Sequence, residues 1–358
     1  MANMVKTIMR GLFKLIYGRV NFDNNISYSA SVTETDRYKN ETKSDQKYFI
    51  YSSDNCRIYT DLNENVAVIK DGTILNGHSY QQVNGKLESI QQNSILKNGT
   101  PYFQKKINGN IVNLLQGSSG ENYFHFMFDI LPKLWLMESK IKFEEIDYFL
   151  LNKKIDWQIK ILSMIGVSSN KILSAKQYRH IKATRVISVT HPWYLEGYIQ
   201  EQVANIPDWI IYELRAHFLN KNISKKNLKI FIDRSDSKFK HCKIINNNEL
   251  ISFLENKNFQ IVKPEKLSLN QQIDIFNNAK IILGGHGAAL TNIIFCEKNT
   301  NIIEFIPSSH PSRKCERISK ILNLNYFRFI TKDTKDDKQF PYNINVNLDE
   351  LEKHLNLY

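Results

Sequence analysis

Residues 280–292, KIILGGHGAALTN, limit what this chain can become more than any other stretch. Ile281, Ile282 and Leu283 read as a short buried strand. Gly284, Gly285, His286 and Gly287 break it, and Ala288, Ala289, Leu290, Thr291 and Asn292 restart the chain as a helix. A strand that turns on glycines into a helix leaves unpaired N–H groups facing the turn, which is a seat for phosphate. The glycines permit positive φ and let an anion come close to the backbone, while His286 and Thr291 add side-chain donors. The alternative is an ordinary βα turn around a buried histidine, and the turn alone does not separate the two. A dinucleotide fingerprint fits poorly, because its third small position, counted from Gly285, falls on Leu290.

A helix N-terminus contributes about 0.3–1 kcal/mol toward a nearby anion, or ~2 when partly buried. A nucleotide held at micromolar strength needs about 8 kcal/mol. Cations and further contacts must therefore come from elsewhere in the chain.

The 358 residues suffice for two cores, and a content of 42% hydrophobic and 11% aromatic residues makes the chain globular rather than disordered. No apolar run approaches the ~20 residues that cross a bilayer. The net charge of +12 asks for an anionic partner. Its lysines are scattered among asparagines, so they give a general positive field rather than a nucleic-acid footprint. Cys56, Cys242, Cys296 and Cys315 form no C-x-x-C pair and no metal-ligand spacing, so free thiols are expected.

Four segments follow from the patterning. Residues 1–46 are a basic amphipathic helix, with Met4, Ile8, Leu12 and Ile16 beside Lys6, Arg10 and Lys14, and then a polar lead-in. That helix either packs on the domain or lies on an anionic membrane leaflet. Residues 47–220 form a first α/β domain opened by β-hairpins, with turns expected at Ser53-Asp54-Asn55, Asp71-Gly72, Asn84-Gly85 and Asn108-Gly109. Residues 221–335 repeat a strand–helix rhythm that reads as a doubly wound parallel sheet. Residues 336–358 are a tail whose helix is expected to pack back on the first domain.

The first domain holds a second informative stretch, GSSGENYFHFMFDILPKLWLM, at residues 117–137. A helix starting near Glu121 puts Glu121, His125 and Asp129 on one face, since they recur at i and i+4. A histidine with two carboxylates in apolar company is a setting in which pKa values shift and acid–base chemistry becomes possible. A buried His–Asp pair that only pins the helix is the alternative. In the second domain Arg234 ends a strand, Lys238, Lys240 and Lys243 follow it, and Glu304 ends a later strand where ribose hydroxyls would be met. No Asp-x-Asp pair occurs, so protein cations and the helix end would have to stabilise a diphosphate without a metal.

The segments GENYFHFMFDILPKLW, DRSDSKFKHCKIINNNEL, LSLNQQIDIFNNAKIILGGHGAALTN and IIEFIP, in that order, resemble glycosyltransferase family 61, the DUF563 group. The resemblance covers roughly residues 117–307, and GHGAALTN is its most specific part. It implies a GT-B-like α/β fold of two Rossmann-type domains facing a cleft. It also implies a nucleotide-sugar donor, most often a UDP-sugar, and inversion at the anomeric carbon without a required metal or other cofactor. By position, Arg234, Lys240, His286, Gly287, Ala288, Thr291, Asn292 and Glu304 would surround the donor. His125 and Asp129, with Glu121 third, are the candidates for the catalytic base. The family often has a second arginine after the DRS-like strand end, where this chain has only lysines.

The partners expected on this reading are a nucleotide-sugar donor and a glycan or lipid-linked glycan acceptor, with peripheral contact to an anionic membrane and no nucleic acid. A bacterial, cytoplasmic enzyme of capsule or lipopolysaccharide biosynthesis, at the inner face of the membrane, fits a sequence without a secretory anchor. Two other classes stay open: an NAD-dependent oxidoreductase using the glycine turn and Glu304, and a non-catalytic binder of anionic surfaces.

Overall fold

The computed structural model describes residues 2–23, 31–38, 46–62, 65–116, 120–219, 227–237, 241–331 and 342–357. Its first sheet is built around four parallel strands in the order Ile172–Ser174, Tyr148–Leu151, Lys105–Asn113, His180–Val189. Val112, Phe149, Leu150, Ile181 and Val186 are buried, as the near-continuous apolar runs of a parallel sheet require. Beyond His180–Val189 the sheet becomes antiparallel. Tyr48–Asp54 and Arg57–Thr60 run along that strand in a single register, with Ile50 opposite Val189 and Tyr59 opposite His180.

The four expected turns therefore divide. Asp71-Gly72 joins Asn65–Lys70 to Thr73–Ile74, and Asn84-Gly85 joins Tyr80–Val83 to Lys86–Glu88. In both pairs the two central residues have positive φ, as tight hairpins prefer. Ser53-Asp54-Asn55 is instead a kink in an almost continuous strand, where the Asn55 N–H donates to the Thr184 carbonyl at 2.7 Å. Asn108-Gly109 lies inside Lys105–Asn113, beside a register slip between Ala183 and Arg185. Turn-type residues there make a bulge because a neighbouring strand takes up the ladder on each side. The polar lead-in also differs from expectation, since Ser31–Thr35 is a strand paired with Tyr48–Asp54.

The N-terminal helix Ala2–Tyr17 is held through Phe13, whose ring meets Phe103 at 5.1 Å, and through Tyr17 against His180. Met4, Ile8, Leu12, Leu15 and Ile16 remain exposed. Among the described residues no helix is long and apolar enough to cross a membrane.

The second sheet has five strands, all parallel, in the order Gln260–Val262, Leu228–Ile232, Ala279–Gly285, Asn301–Pro307, Asn325–Thr331. In chain order this is 2-1-3-4-5, a doubly wound sheet as expected. Its core collects Phe231, Leu250, Leu254, Ile281, Leu283, Ile303 and Phe305. The chain leaves Leu228–Ile232 to one side and returns as Ala279–Gly285 on the other. The carboxyl ends of these two strands thus border the switch point where such sheets bind ligands.

The tail corrects its expectation. Ile344 bridges to Ile244, the Asn246 side chain bonds both the N–H (3.0 Å) and the carbonyl (2.8 Å) of Val346, and Leu351 of helix Leu348–Leu355 is buried with Phe231 and Leu254. An amphipathic helix needs an apolar surface, and the flank of this second sheet supplies it. The chain divides into units Met1–Ile210 and Ile211–Tyr358, a boundary inside helix Asp208–Phe218.

Candidate functional site

In the second unit, Arg234 stands two residues past strand Leu228–Ile232, and its Nη1 donates to the His286 carbonyl. The turn before it is fixed by Asp233, which accepts from the Ser235 N–H and hydroxyl (2.9 Å each) and from Asn247 Nδ2 (3.1 Å). The guanidinium lies across Gly287. A Cβ there would collide with Cζ and Nη1 and sit 2.7 Å from Nη2. Gly287 itself has φ 164°, which is extended backbone open to any residue. The glycine is needed for room, not for positive φ, and Gly284 and Gly285 are likewise outside the left-handed region.

After the turn, Ala288–Phe295 forms a 3-10 helix, tighter than the α-helix expected. Leu290 N–H bonds back to the Gly287 carbonyl at 3.2 Å, and Lys314 Nζ donates to the same oxygen at 2.9 Å. Thr291 and Asn292 are fully buried. The Asn292 amide donates to Gln272 at 2.6 Å, and the Thr291 hydroxyl has no hydrogen-bond partner among the described residues.

His286 and Glu304 form a buried pair, with Nδ1 and Oε1 at 2.5 Å, while Tyr326 donates its hydroxyl to Oε2 at 2.5 Å. Glu304 is 1% exposed, so its oxygens serve the pair and not an open ribose position. Burial pushes its carboxyl pKa up, but His286 and Tyr326 outweigh that and bring it down to about 2. Burial lowers His286, so a neutral ring donating from Nδ1 to the carboxylate is the arrangement that fits. The His310 ring lies 4.2 Å from that of His286, tilted by 47°, and burial pushes its pKa down to about 3. His241 falls to about 4 through burial and the nearby Arg234 charge.

A cavity of about 510 Å³ opens at the switch point, floored by Ile232 and Gly285 and walled by Arg234, His241, Lys243 and Asn247. The helix Asn247–Glu255 begins at its edge. Asn246 makes no side-chain cap bond there because it holds Val346, so the first amide groups of that helix have no side-chain cap from it. Lys238 and Lys240 lie outside the described residues, and Lys243 is the lysine seen lining the cavity. Size, cations and amide groups suit a nucleoside diphosphate.

The first unit holds a second constellation. Helix Tyr123–Glu138 is capped by the Asn122 side chain, which accepts from the His125 N–H at 3.3 Å. It contains a π turn over Phe126–Ile130, a feature that recurs at functional positions. His125 Nδ1 and Asp129 Oδ2 are 2.8 Å apart, and Trp193 Nε1 donates to Asp129 Oδ1 at 2.9 Å. His191 accepts the Tyr194 N–H on Nδ1 at 2.9 Å, which leaves the proton on Nε2, 3.7 Å from Asp129. Burial pushes the Asp129 pKa up, but His125 and His191 override it and hold the carboxyl well below the usual range. Glu121 is not on the shared face. It precedes the cap and pairs with Lys153, because Asn122 starts the helix two residues later than expected.

Several residues escaped sequence reasoning. Lys133, one helical turn past Asp129, is 5% exposed and donates to Gln116 Oε1 at 2.8 Å. Its i+8 spacing from His125 was a usable signal. His191, Trp193, His310, Lys314 and Tyr326 carry no local signal, since they join their sites only through the fold. All four cysteines are free and buried. Among the described residues no group of three or more His, Cys, Asp or Glu side chains could hold a metal ion.

No curated protein matches this chain. Among solved structures, a flavo di-iron protein variant from Thermotoga maritima is similar at 10% identity and a TM-score of 0.27, over 92% of this chain and 98% of that one. That likeness is too distant to bear on fold or function. The family model described as Glycosyltransferase 61 matches residues 123–303, from the helix carrying His125 and Asp129 to the strand beside the glycine turn. Half of the chain, including His125, Asp129, Arg234 and His286, lies under that match: the chain belongs to the glycosyltransferase 61 family, and it is a glycosyltransferase with a sugar donor and a glycan acceptor.

Proposed function

We propose that the enzyme transfers a sugar from a nucleotide-sugar donor, a UDP-sugar, to an acceptor hydroxyl with inversion and without a metal. The observation that carries the reading is the 510 Å³ cavity at the switch point of the second sheet, with Arg234 and Lys243 in its wall. A charge-assisted hydrogen bond contributes about 1.5–3 kcal/mol. Two such contacts with a helix end therefore come close to what a micromolar nucleotide requires. On this proposal the units divide the labour in a GT-B-like way, the second taking the donor and the first the acceptor.

His125 is the base in this proposal, and Asp129 orients it. Asp129 is fully buried with both oxygens engaged, whereas the His125 side chain remains 14% exposed and Nε2 is its uncommitted nitrogen. Nε2 takes the acceptor proton as the hydroxyl attacks the anomeric carbon, and the nucleoside diphosphate leaves from the opposite face. Arg234, Lys243 and the amide groups at Asn247 stabilise the leaving charge. We place the reaction in capsule or lipopolysaccharide biosynthesis, at the inner membrane face. The exposed apolar side chains of helix Ala2–Tyr17 and the net charge of +12 support that place.

Thermal unfolding with UDP and with NAD tests the donor class. A ligand at 100 times its Kd stabilises by about 2.7 kcal/mol. UDP should raise the midpoint and NAD should not; stabilisation by NAD alone would indicate a dinucleotide enzyme. Release of UDP across a panel of sugar nucleotides then identifies the sugar.

A further inference from the structure

The first unit contains a cavity of about 190 Å³ whose lining includes Asn113, Gln116, Lys133 and His191. It is too small for a nucleotide and of a size for one sugar ring. Among the described residues its lining has one ammonium, Lys133, and no carboxylate. Lys133 is 5% exposed, and of the three donors on its Nζ one is used, by Gln116. A buried ammonium with two open donors is costly unless something else pairs with it.

Asp129 attracts this ammonium through space, but among the described residues it takes neither open donor. Asp129, a turn away, spends Oδ2 on His125 and Oδ1 on Trp193 and does not line the cavity. His78, also in the lining, is tied on both ring nitrogens, to Ser53 at 3.2 Å and Ser188 at 2.9 Å. Burial pushes its pKa down to about 3, so it stays neutral and adds no positive charge. Asn113 and His191 complete a wall of neutral polar groups around the single cation.

We infer that this cavity is a subsite for a sugar carrying a carboxylate, whose two oxygens take the open donors of Lys133. A carboxylate satisfies both donors and adds a directly bonded counter-charge to the more distant one of Asp129, whereas a neutral pyranose offers the donors no charge-assisted partner. Phosphate is the poorer match, since a second negative charge would face no second cation. The inference rests on the proposed acceptor role of the first unit, because the cavity lies beside the His125–Asp129 pair through His191 and Lys133.

The test compares methyl glucuronide with methyl glucoside by calorimetry on the full chain, with UDP titrated separately. The glucuronide should bind at least tenfold more tightly than the glucoside. Lys133→Met should abolish that preference and leave UDP affinity within twofold of wild type, while Lys133→Arg should keep part of it. Equal affinity for the two sugars, no binding of either, or a preference that survives in Lys133→Met would overturn the inference. The comparison of sugars on the wild-type protein stands even if Lys133→Met fails to fold. Loss of UDP binding alone would instead overturn the donor reading and leave the carboxylate preference to be judged on its own.

Discussion

Gly287→Ala isolates the contact between the glycine turn and Arg234. The backbone at Gly287 is extended, so alanine brings no φ strain. Replacing glycine there gains about 0.4–1 kcal/mol through a less flexible unfolded chain, which offsets part of the Arg234–His286 hydrogen bond that is lost. The new methyl group meets only the tip of the Arg234 side chain, which can swing away at small cost. In swinging it gives up the His286 carbonyl and its place in the cavity wall. Losing one charge-assisted contact costs about 1.5–3 kcal/mol, which is about 10- to 150-fold in UDP affinity. Calorimetric titration with UDP should therefore show that loss in Gly287→Ala and a similar one in Arg234→Met. In the double variant the alanine should add nothing, because the group it displaces is gone. If Gly287→Ala binds UDP within twofold of wild type, or costs the same with and without Arg234, the collision is not what the glycine avoids.

Two further outcomes follow from the buried pairs. Asp129→Asn removes the carboxylate that orients His125, and turnover should drop about 10- to 100-fold, the kinetic equivalent of roughly 1.4–2.7 kcal/mol. Donor affinity should be unchanged, and turnover within threefold of wild type would remove Asp129 from the mechanism. Glu304 has its folded pKa depressed to about 2. Its ionised form therefore stabilises the fold fully above its ordinary value of about 4.3, and that stability is lost as pH falls toward 2. Urea unfolding of Glu304→Gln should show lower stability at neutral pH, by about 1.5–3 kcal/mol, and a flatter decline between pH ~4.5 and ~2. An identical slope in both proteins would show that Glu304 is not held ionised by its partners.

Periodicity was enough for the second unit. Alternating apolar strands and amphipathic helices leave few topologies, and the switch point then falls where Arg234 and the glycine turn stand. The His125–Asp129 pair was legible for the same reason, since an i,i+4 relation is local. Glu121 misled because the choice between Asn122 and an earlier residue as cap depends on a single side-chain hydrogen bond. The Asn108-Gly109 and Ser53-Asp54-Asn55 pairs misled because turn chemistry is shared by hairpins and bulges, and only the neighbouring strand decides between them. Burial was the least visible quantity. Thr291, Asn292 and Glu304 look like ligand contacts in sequence, yet the fold turns them inward, while His191, Trp193 and Lys314 arrive from far along the chain.

The hold of Asn246 on Val346 ties the rim of the 510 Å³ cavity to the segment that leads into helix Leu348–Leu355. Residues about a hundred positions downstream thus act as a clasp on the pocket wall. Loosening this one clasp, with Ile344 and Leu351 still seated in the core, would slacken the cavity rim while leaving the five-stranded sheet standing, so the protein would look intact by its secondary structure and bind poorly in the cavity.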